Sequence, residues 1–185
     1  MRTLKVVVAT GSDAASIVQL VNAAYRGDGA VGWTDETSLL SGARVQEADV
    51  VSLIDGHPRT TVLIARRDEG TELLGCVCVE IDESDCTISM LAVDPASQAS
   101  GYGRSLLETA EQYASRNGAR VAGMTVIEQR DTLIAWYRRR GYEPTGEIEP
   151  FPYGDQSVGT PLRDDLRFLL LNKTIGTAAA VRPPR

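Results

Sequence analysis

Apolar residues recur at helical spacing in four stretches of the chain. After Ala14 the apolar positions, counted from Ile17 as i, fall at i, i+1, i+4, i+7 and i+8. They form one face of a helix that Gly27 and Gly29 end. Thr34, followed by two acidic residues, is expected to be another helix N-cap. The remaining predicted helices are Gln46 to Ile54, Arg104 to Arg116 and Arg130 to Arg140.

Shorter apolar segments of β-rich composition lie between these helices and predict strands. The run from Arg67 to Gly70 joins two of them as an antiparallel hairpin with a glycine turn. The predicted order is β-α-α-β-β-β-α-β-α-β-β, in one domain over residues 1–175 with a flexible tail at 176–185. The predicted strands are Leu4 to Ala9, Thr61 to Ala65, Leu73 to Glu80, Ile88 to Val93, Arg120 to Ile127, Tyr142 to Ile148 and Arg167 to Lys173.

The stretch from Ile88 to Leu107 joins a buried strand, a glycine-containing turn and a helix N-terminus. Asp94 and Pro95 end the strand, because proline cannot donate a ladder hydrogen bond. The first amides of a helix have no intrahelical partner and carry partial positive charge, and glycine lets the backbone approach a phosphate closely. This order of elements predicts an anion site in the turn, with an ordinary strand–turn–helix connection as the alternative.

Two common phosphate-binding loops do not fit this turn. A P-loop needs Lys and then Ser or Thr after its last glycine, and that pair follows neither Gly101 nor Gly103. The dinucleotide-binding fingerprint needs a third glycine at the position where Leu106 stands. The turn therefore indicates a different phosphate-bearing ligand.

The composition narrows the class of protein. A net charge of −6 disfavours nonspecific nucleic-acid binding and mildly favours an amine-bearing partner. No apolar run approaches the roughly 18 residues of a membrane span, so we expect a cytoplasmic protein without nucleic-acid or membrane partners. Cys76, Cys78 and Cys86 are expected to be small buried residues, and with the single His57 no metal site is predicted.

The turn fits a known pattern, because Gln98, Gly101 and Gly103 form Gln-x-x-Gly-x-Gly after the strand end Leu91-Ala92-Val93-Asp94-Pro95. It resembles the coenzyme A pyrophosphate loop of the GNAT family of N-acetyltransferases. The segment Trp136-Tyr137-Arg138-Arg139-Arg140-Gly141-Tyr142 is similar to a second motif of that family. The resemblance implies an α/β (α+β) GNAT fold, with a mixed, mostly antiparallel sheet of six or seven strands flanked by about four helices.

The resemblance also implies acetyl-CoA as co-substrate, with no metal. In the family the pyrophosphate binds the glycine turn, and the pantetheine arm adds to the free edge of a splayed strand. Arg130 departs from the pattern, since the family often has Asn at that position. The implied cofactor-binding residues are Leu91, Ala92, Val93, Gln98, Ala99, Ser100, Gly101, Tyr102, Gly103, Arg104, Ser105, Arg130 and Tyr137.

The catalytic groups that the resemblance implies would move an acetyl group directly to a primary amine. Tyr137 is the implied general acid to the departing thiolate, although its helical spacing also fits a core tyrosine. The N–H of Leu91 is the implied donor to the thioester carbonyl. The attacking amine must be neutral, and Glu80 at a strand end is the candidate base, with Glu83 and Asp85 after it. A water relay, or acids that are merely solvated, are the alternatives.

The acceptor pocket of such enzymes is formed by the early helices and the loop before the last strand. This implies acceptor contacts from Tyr25, Trp33, Glu36 and Phe151. The acceptor is expected to be a small-molecule or peptide amine, and a homodimer is left open. A noncatalytic acyl-CoA-binding module or sensor with the same fold is the alternative function, which an intact Tyr137 disfavours.

Overall fold

The computed structural model describes residues 4–27, 34–67, 72–98 and 100–176. Within these ranges the helices are α1 (Ala14–Arg26), α2 (Glu47–Val51), α3 (Tyr102–Arg116) and α4 (Asp131–Arg138). The strands are β1 (Leu4–Val8), β2 (Leu40–Ser41), β3 (Thr60–Arg67), β4 (Leu73–Asp82), β5 (Asp85–Val93), β6 (Val121–Ile127), β7 (Glu143–Pro150), β8 (Thr160–Pro161) and β9 (Arg167–Thr174). None of the helices in the described part of the chain is long and apolar enough to cross a membrane.

The predicted order of helices and long strands is confirmed, with bounds that differ by a few residues. The predicted hairpin turn after Arg67 and the predicted tail lie largely outside the described residues. Helix α2 is shorter than predicted, because a π-helical turn (Ser52–Gly56) follows it. The predicted N-cap at Thr34 is wrong: its hydroxyl donates to the Ala24 carbonyl at 2.9 Å, and turns follow it instead of a helix.

Seven strands form one sheet in the order β1-β3-β4-β5-β6-β9-β7, and β2 pairs separately with β8. All neighbours in the large sheet are antiparallel except β5 and β6. The parallel pairing of β5 with β6 runs only from Asp85–Val121 to Thr87–Gly123. Beyond Thr87 the two strands diverge, so the sheet contains a fork whose β5 side is the unpaired edge of Ile88–Val93.

A β-bulge interrupts the pairing of β5 with β4 within Ile88–Val93, the half of β5 that does not pair with β6. Cys78 pairs with Ser89 and Cys76 pairs with Ala92, so two residues of β5 stand opposite one of β4. Met90 takes up the extra length with φ of 52°, a left-handed conformation that is uncommon for a residue with a side chain. The bulge shifts the alternation of the strand, which re-aims the side chains that follow it.

The core lies in two layers, one on each face of the sheet, and the shifted alternation is visible in both. Ile88 packs in the layer below α3 and α4, and after the bulge Leu91 and Val93 return to that same layer. Met90 and Ala92 instead pack in the layer below α1. A third, smaller apolar cluster beside the fork contains Leu39, Leu40, Ile127, Phe151 and Leu166.

Candidate active site

The fork between β5 and β6 opens into a cavity of about 260 Å³. Its walls come from the unpaired half of β5, the diverging half of β6, the ends of α1 and α4, and the loop before β9. Most of the lining is apolar, including Leu40, Leu133 and Phe168. The cavity exists because parallel pairing stops at Gly123, and the two strands part to either side of it.

Residues that were predicted for two different roles meet at this cavity. Leu91 and Tyr137, predicted as catalytic, both line it. Tyr25, Glu36 and Phe151, predicted to contact the acceptor, line it as well. These residues lie far apart in the chain and are brought together by the packing of α1 and α4 on opposite faces of the fork. Trp33, the fourth predicted acceptor contact, lies outside the described residues.

Tyr137 is buried on the inner face of α4, with 7% of its surface exposed. Its ring packs edge-on against Trp136 at 5.0 Å and Tyr142 at 5.7 Å, measured between ring centroids. Burial, reinforced by the nearby Tyr25, raises the pKa of Tyr137 well above the ordinary value of a phenol. The hydroxyl is therefore held protonated, which suits a hydrogen-bond or proton donor and not a base.

Tyr25, at the end of α1, ties that helix to the unpaired half of β5. Its hydroxyl donates a hydrogen bond to the carbonyl of Leu91 at 3.0 Å. Burial of the hydroxyl raises the pKa of Tyr25 to about 12, so this donor keeps its proton. The bond fixes the peptide that follows the bulge, in the strand whose backbone faces the cavity.

Glu36 is buried between two arginines. Its Oε2 accepts a hydrogen bond from Nη1 of Arg26 at 2.5 Å, and its Oε1 accepts one from Nη1 of Arg130 at 2.8 Å. All three side chains are nearly inaccessible to solvent. Arg130, predicted to contact the cofactor, thus directs a guanidinium nitrogen to a buried carboxylate, because Glu36 is the acid within its reach at the cavity wall.

The turn predicted to bind an anion adopts a suitable conformation before α3. Gly101 is the N-cap with φ of 83°, and helical bonding begins where the Ser105 N–H donates to the Gly101 carbonyl at 3.1 Å. The amides of Tyr102, Gly103 and Arg104 therefore precede the first intrahelical bond and have no intrahelical acceptor. Gly103 lies in the helix without positive φ, where alanine would be more stable by about 1 kcal/mol.

The remaining predicted cofactor residues surround this helix terminus. Ser100 is exposed, and Ala99 lies outside the described residues. The side-chain amide of Gln98 donates to the Val93 carbonyl at 3.2 Å, which ties the turn to the end of β5. The guanidinium of Arg104 is exposed and pairs with Glu108 at 2.7 Å. Ala92 and Val93 continue the unpaired edge of β5 toward the turn.

Glu80, the predicted base, is not brought to the cavity. It lies exposed near the end of β4, opposite Thr60 on one side and Thr87 on the other. Thr87 still belongs to the half of β5 that pairs with β6, so Glu80 stands on the closed side of the fork. Strand position therefore separates this carboxylate from the other predicted catalytic groups.

Arg44 is a cavity residue that sequence reasoning missed. It lines the cavity between β2 and α2, with its guanidinium carbon 5.6 Å from the centroid of the Tyr25 ring. It lies in a connecting segment without periodicity, so no local pattern distinguished it from a solvated arginine. Only its contact with Tyr25, 19 residues earlier in the chain, identifies it as a cavity residue.

The match to known families agrees with this geometry. The model of the "Acetyltransferase (GNAT) family" matches residues 16–142, which is more than half of the chain. The chain belongs to the GNAT family of acetyltransferases. The matched range contains the fork, the glycine turn and Tyr137, and GNAT membership supports the use of an acyl-CoA and an amine acceptor.

Solved GNAT structures share the fold. The ribosomal-protein-S18-alanine N-acetyltransferase of Escherichia coli is 16% identical, with a TM-score of 0.70, over 97% of this chain and 99% of that one. The protein yncA of Salmonella typhimurium, solved with its cofactor acetyl-CoA, is 20% identical, with a TM-score of 0.67, over 98% of this chain and 99% of that one. At these identities the similarity shows the fold alone.

A curated relative matches over a shorter range. The uncharacterized protein YdhI of Bacillus subtilis (strain 168) is 29% identical over 76 residues, 41% of this chain. The match spans 46% of the length of YdhI, slightly less than half.

Proposed function

We propose that this GNAT protein is an N-acetyltransferase that moves an acetyl group from acetyl-CoA directly to a primary amine. The observation that carries the proposal is the fork. The unpaired edge of Ile88–Val93 leads from the amides before α3 into a cavity lined by Tyr137. A ligand with a diphosphate at one end and a thioester at the other matches that arrangement.

The acetyl-CoA is held mainly by backbone groups. Amides at the α3 N-terminus bind the pyrophosphate, where the helix dipole favours negative charge. The missing side chain of Gly103 leaves the backbone open to the phosphates, which accounts for glycine in a helical position. The pantetheine amides bond to the free edge of β5 as an added strand would.

The transfer itself is a direct attack of the amine nitrogen on the thioester carbon. The C–N bond forms, negative charge develops on the carbonyl oxygen, and the N–H of Leu91 donates to that oxygen. The C–S bond then breaks, and the sulfur leaves as a thiolate that takes a proton from Tyr137, whose hydroxyl regains a proton from solvent in balance with the one that the amine gives up. The protonated state of this phenol at neutral pH supports the role.

The cysteines argue against a covalent acetyl-enzyme in the described part of the chain. Cys76, Cys78 and Cys86 are all buried. Burial raises the pKa of Cys76 to about 12, and of Cys78 and Cys86 to about 11. A thiol acts as a nucleophile through its thiolate, so these groups are inert at neutral pH.

The proton of the attacking amine leaves through solvent. Glu80 lies on the closed side of the fork, and both oxygens of Glu36 already accept hydrogen bonds from arginines. A water relay at the mouth of the cavity requires neither carboxylate as the base. This choice replaces our expectation from sequence that Glu80 takes the proton.

The direct test is calorimetry with acetyl-CoA together with thiol release from acetyl-CoA in the presence of amines. The amines are amino acids, polyamines, an aminoglycoside and a short peptide, each measured against a blank without amine. We expect binding of acetyl-CoA and amine-dependent thiol release. Binding without any amine-dependent release would instead favour the noncatalytic acyl-CoA-binding module, and no binding at all would contradict both.

A further inference from the structure

Two charged side chains of the described residues, Glu36 and Arg44, line the cavity, and two buried arginines pair with Glu36 from behind its wall. Glu36 is shared by Arg26 and Arg130, which leaves one positive charge in excess among these three buried groups. Arg44 adds a second positive charge to the cavity wall. Although the protein has a net charge of −6, three arginines thus lie on or directly behind this part of the cavity wall, against the single acid Glu36.

Arg26 is buried with an incomplete set of hydrogen-bond partners among the described residues. Its side chain is 6% exposed, and its Nη2 donates to the Val158 carbonyl at 3.3 Å. Its Nε has no hydrogen-bond partner among the described residues. Burying charge without full compensation is costly, and the cost falls when an anion is nearby.

Arg44 is positioned by its own backbone. Its N–H donates to Oδ1 of Asn22 at 2.7 Å, and Nδ2 of the same Asn22 donates to the Val45 carbonyl at 3.0 Å. The partly buried guanidinium therefore lies beside Tyr25 on an anchored segment. It forms no ion pair with any residue of the described ranges, so its forked set of donors is available to a ligand.

We propose that the acceptor is an amine that carries a carboxylate next to its amino group and an apolar body, as an apolar amino acid does. This inference rests on the proposed function. Arg44 binds the carboxylate, and the apolar body packs on Leu40, Leu133, Phe151 and Phe168. Arginine pairs with a carboxylate through two parallel hydrogen bonds, which also orients the amino group. A polyamine would instead bring further positive charge to a wall that already presents Arg44 and has Arg26 and Arg130 behind it.

The test compares acceptors that differ in one charge. L-methionine and L-phenylalanine are each measured against their amides, with spermidine as a polycation, by thiol release from saturating acetyl-CoA. The amino group of an amide is the less basic of each pair, so reactivity alone would favour the amide. We expect kcat/KM for each amino acid to exceed that of its amide by about tenfold or more, the usual worth of a hydrogen-bonded ion pair.

Variants of Arg44 then locate the effect. Arg44→Met should raise KM for the amino acids about tenfold or more and leave KM for the amides within about twofold. Arg44→Lys should recover part of the loss, because it restores the charge without the fork. Arg59→Met is the matched control, since Arg59 forms an exposed pair with Asp82. Affinity for acetyl-CoA should be the same in all of them.

The outcomes separate the two proposals. Failure of the wild-type protein to bind acetyl-CoA overturns the proposed function, and this inference with it. Turnover with equal or better use of the amides or spermidine overturns the anionic acceptor alone. So does thiol release from acetyl-CoA with other amines but with neither amino acid, or an equal effect of Arg44→Met on amino acids and amides.

Discussion

The two halves of β5 have the same neighbour on one side and different surroundings on the other. Both halves pair with β4, but Asp85–Thr87 also pairs with β6, whereas Ile88–Val93 faces a cavity. The closed half holds the sheet together, and the open half leaves backbone groups for a ligand. On the proposed function one strand serves both stability and binding, and substitutions around its two halves should have different consequences.

The largest effect on kcat is expected for a substitution of Tyr137, which faces the open half. Tyr137→Phe should lower kcat by about 10²–10⁴-fold, the usual contribution of a general acid. Its effect on acetyl-CoA affinity should stay within about twofold, because backbone amides hold most of the ligand. Steady-state kinetics and calorimetry measure the two quantities.

Tyr113→Phe is the control for that prediction. The Tyr113 hydroxyl bonds to that of Thr61 at 2.9 Å, away from the cavity, so its loss should affect stability and leave kcat unchanged. If Tyr137→Phe lowered kcat and acetyl-CoA affinity by equal factors, Tyr137 would be a packing residue.

Two glycines on either side of β5 give the next largest contrast. A Cβ on Gly75, beside the open half, would lie 2.8 Å from the Ala92 carbonyl oxygen and 2.5 Å from Cδ1 of Leu106. Gly75→Ala should therefore lower the free energy of unfolding by about 1–3 kcal/mol and weaken acetyl-CoA binding by displacing α3. Urea denaturation and calorimetry test both effects.

Gly123→Ala provides the comparison at the closed half. There a Cβ would meet Oδ1 of Asn172 at 2.9 Å, at the end of a side chain that can turn away. The loss of stability should be under about 1 kcal/mol, with acetyl-CoA affinity retained. A larger cost at Gly123 than at Gly75 would contradict the expectation that the open half is the tightly fitted one.

A smaller effect is expected when the bond between α1 and the open half is removed. Tyr25→Phe deletes the donor to the Leu91 carbonyl and should lower the free energy of unfolding by about 1 kcal/mol. It should also lower kcat, because Leu91, whose N–H is the proposed oxyanion donor, is less firmly held through its carbonyl. Cys86→Ala, in the closed half, should cost about 1 kcal/mol of stability while kcat stays unchanged. Equal kcat in both variants would remove Tyr25 from the positioning of Leu91.

The order of elements and the turn before α3 were predictable because their signals are local. Helical periodicity, glycine stops and the Gln98–Gly103 pattern depend on neighbours in the chain. The bulge at Met90 was not predictable, since no glycine or turn residue marks it and it arises from the pairing with β4. Our expectation of a splayed strand came from the family resemblance and not from the residues of β5.

Side-chain partners were predicted less well than backbone features. Thr34 is a residue type that is common at N-caps, yet its hydroxyl donates to the Ala24 carbonyl near the end of α1. The sequence does not reveal such a contact between segments. Arg130 and Glu36 are separated by 94 residues and form a buried pair. Glu80 is a carboxylate at the end of a strand, as expected of a base. That end of β4 pairs with the half of β5 that also pairs with β6, on the closed side of the fork.

The pH dependence of turnover sharpens the assignment of the open half without any substitution. Since burial raises the pKa of Tyr137, its hydroxyl stays protonated above the ordinary tyrosine value of about 10. The fraction of neutral acceptor amine rises with pH, and for a free amino acid, whose carboxylate raises the pKa of its amino group above the peptide value of about 8, it levels off only above about 9. We therefore expect kcat/KM for an amino acid to rise to a plateau and not to fall below pH 10. A descending limb near pH 9 would mean that an acid other than Tyr137 protonates the leaving thiolate.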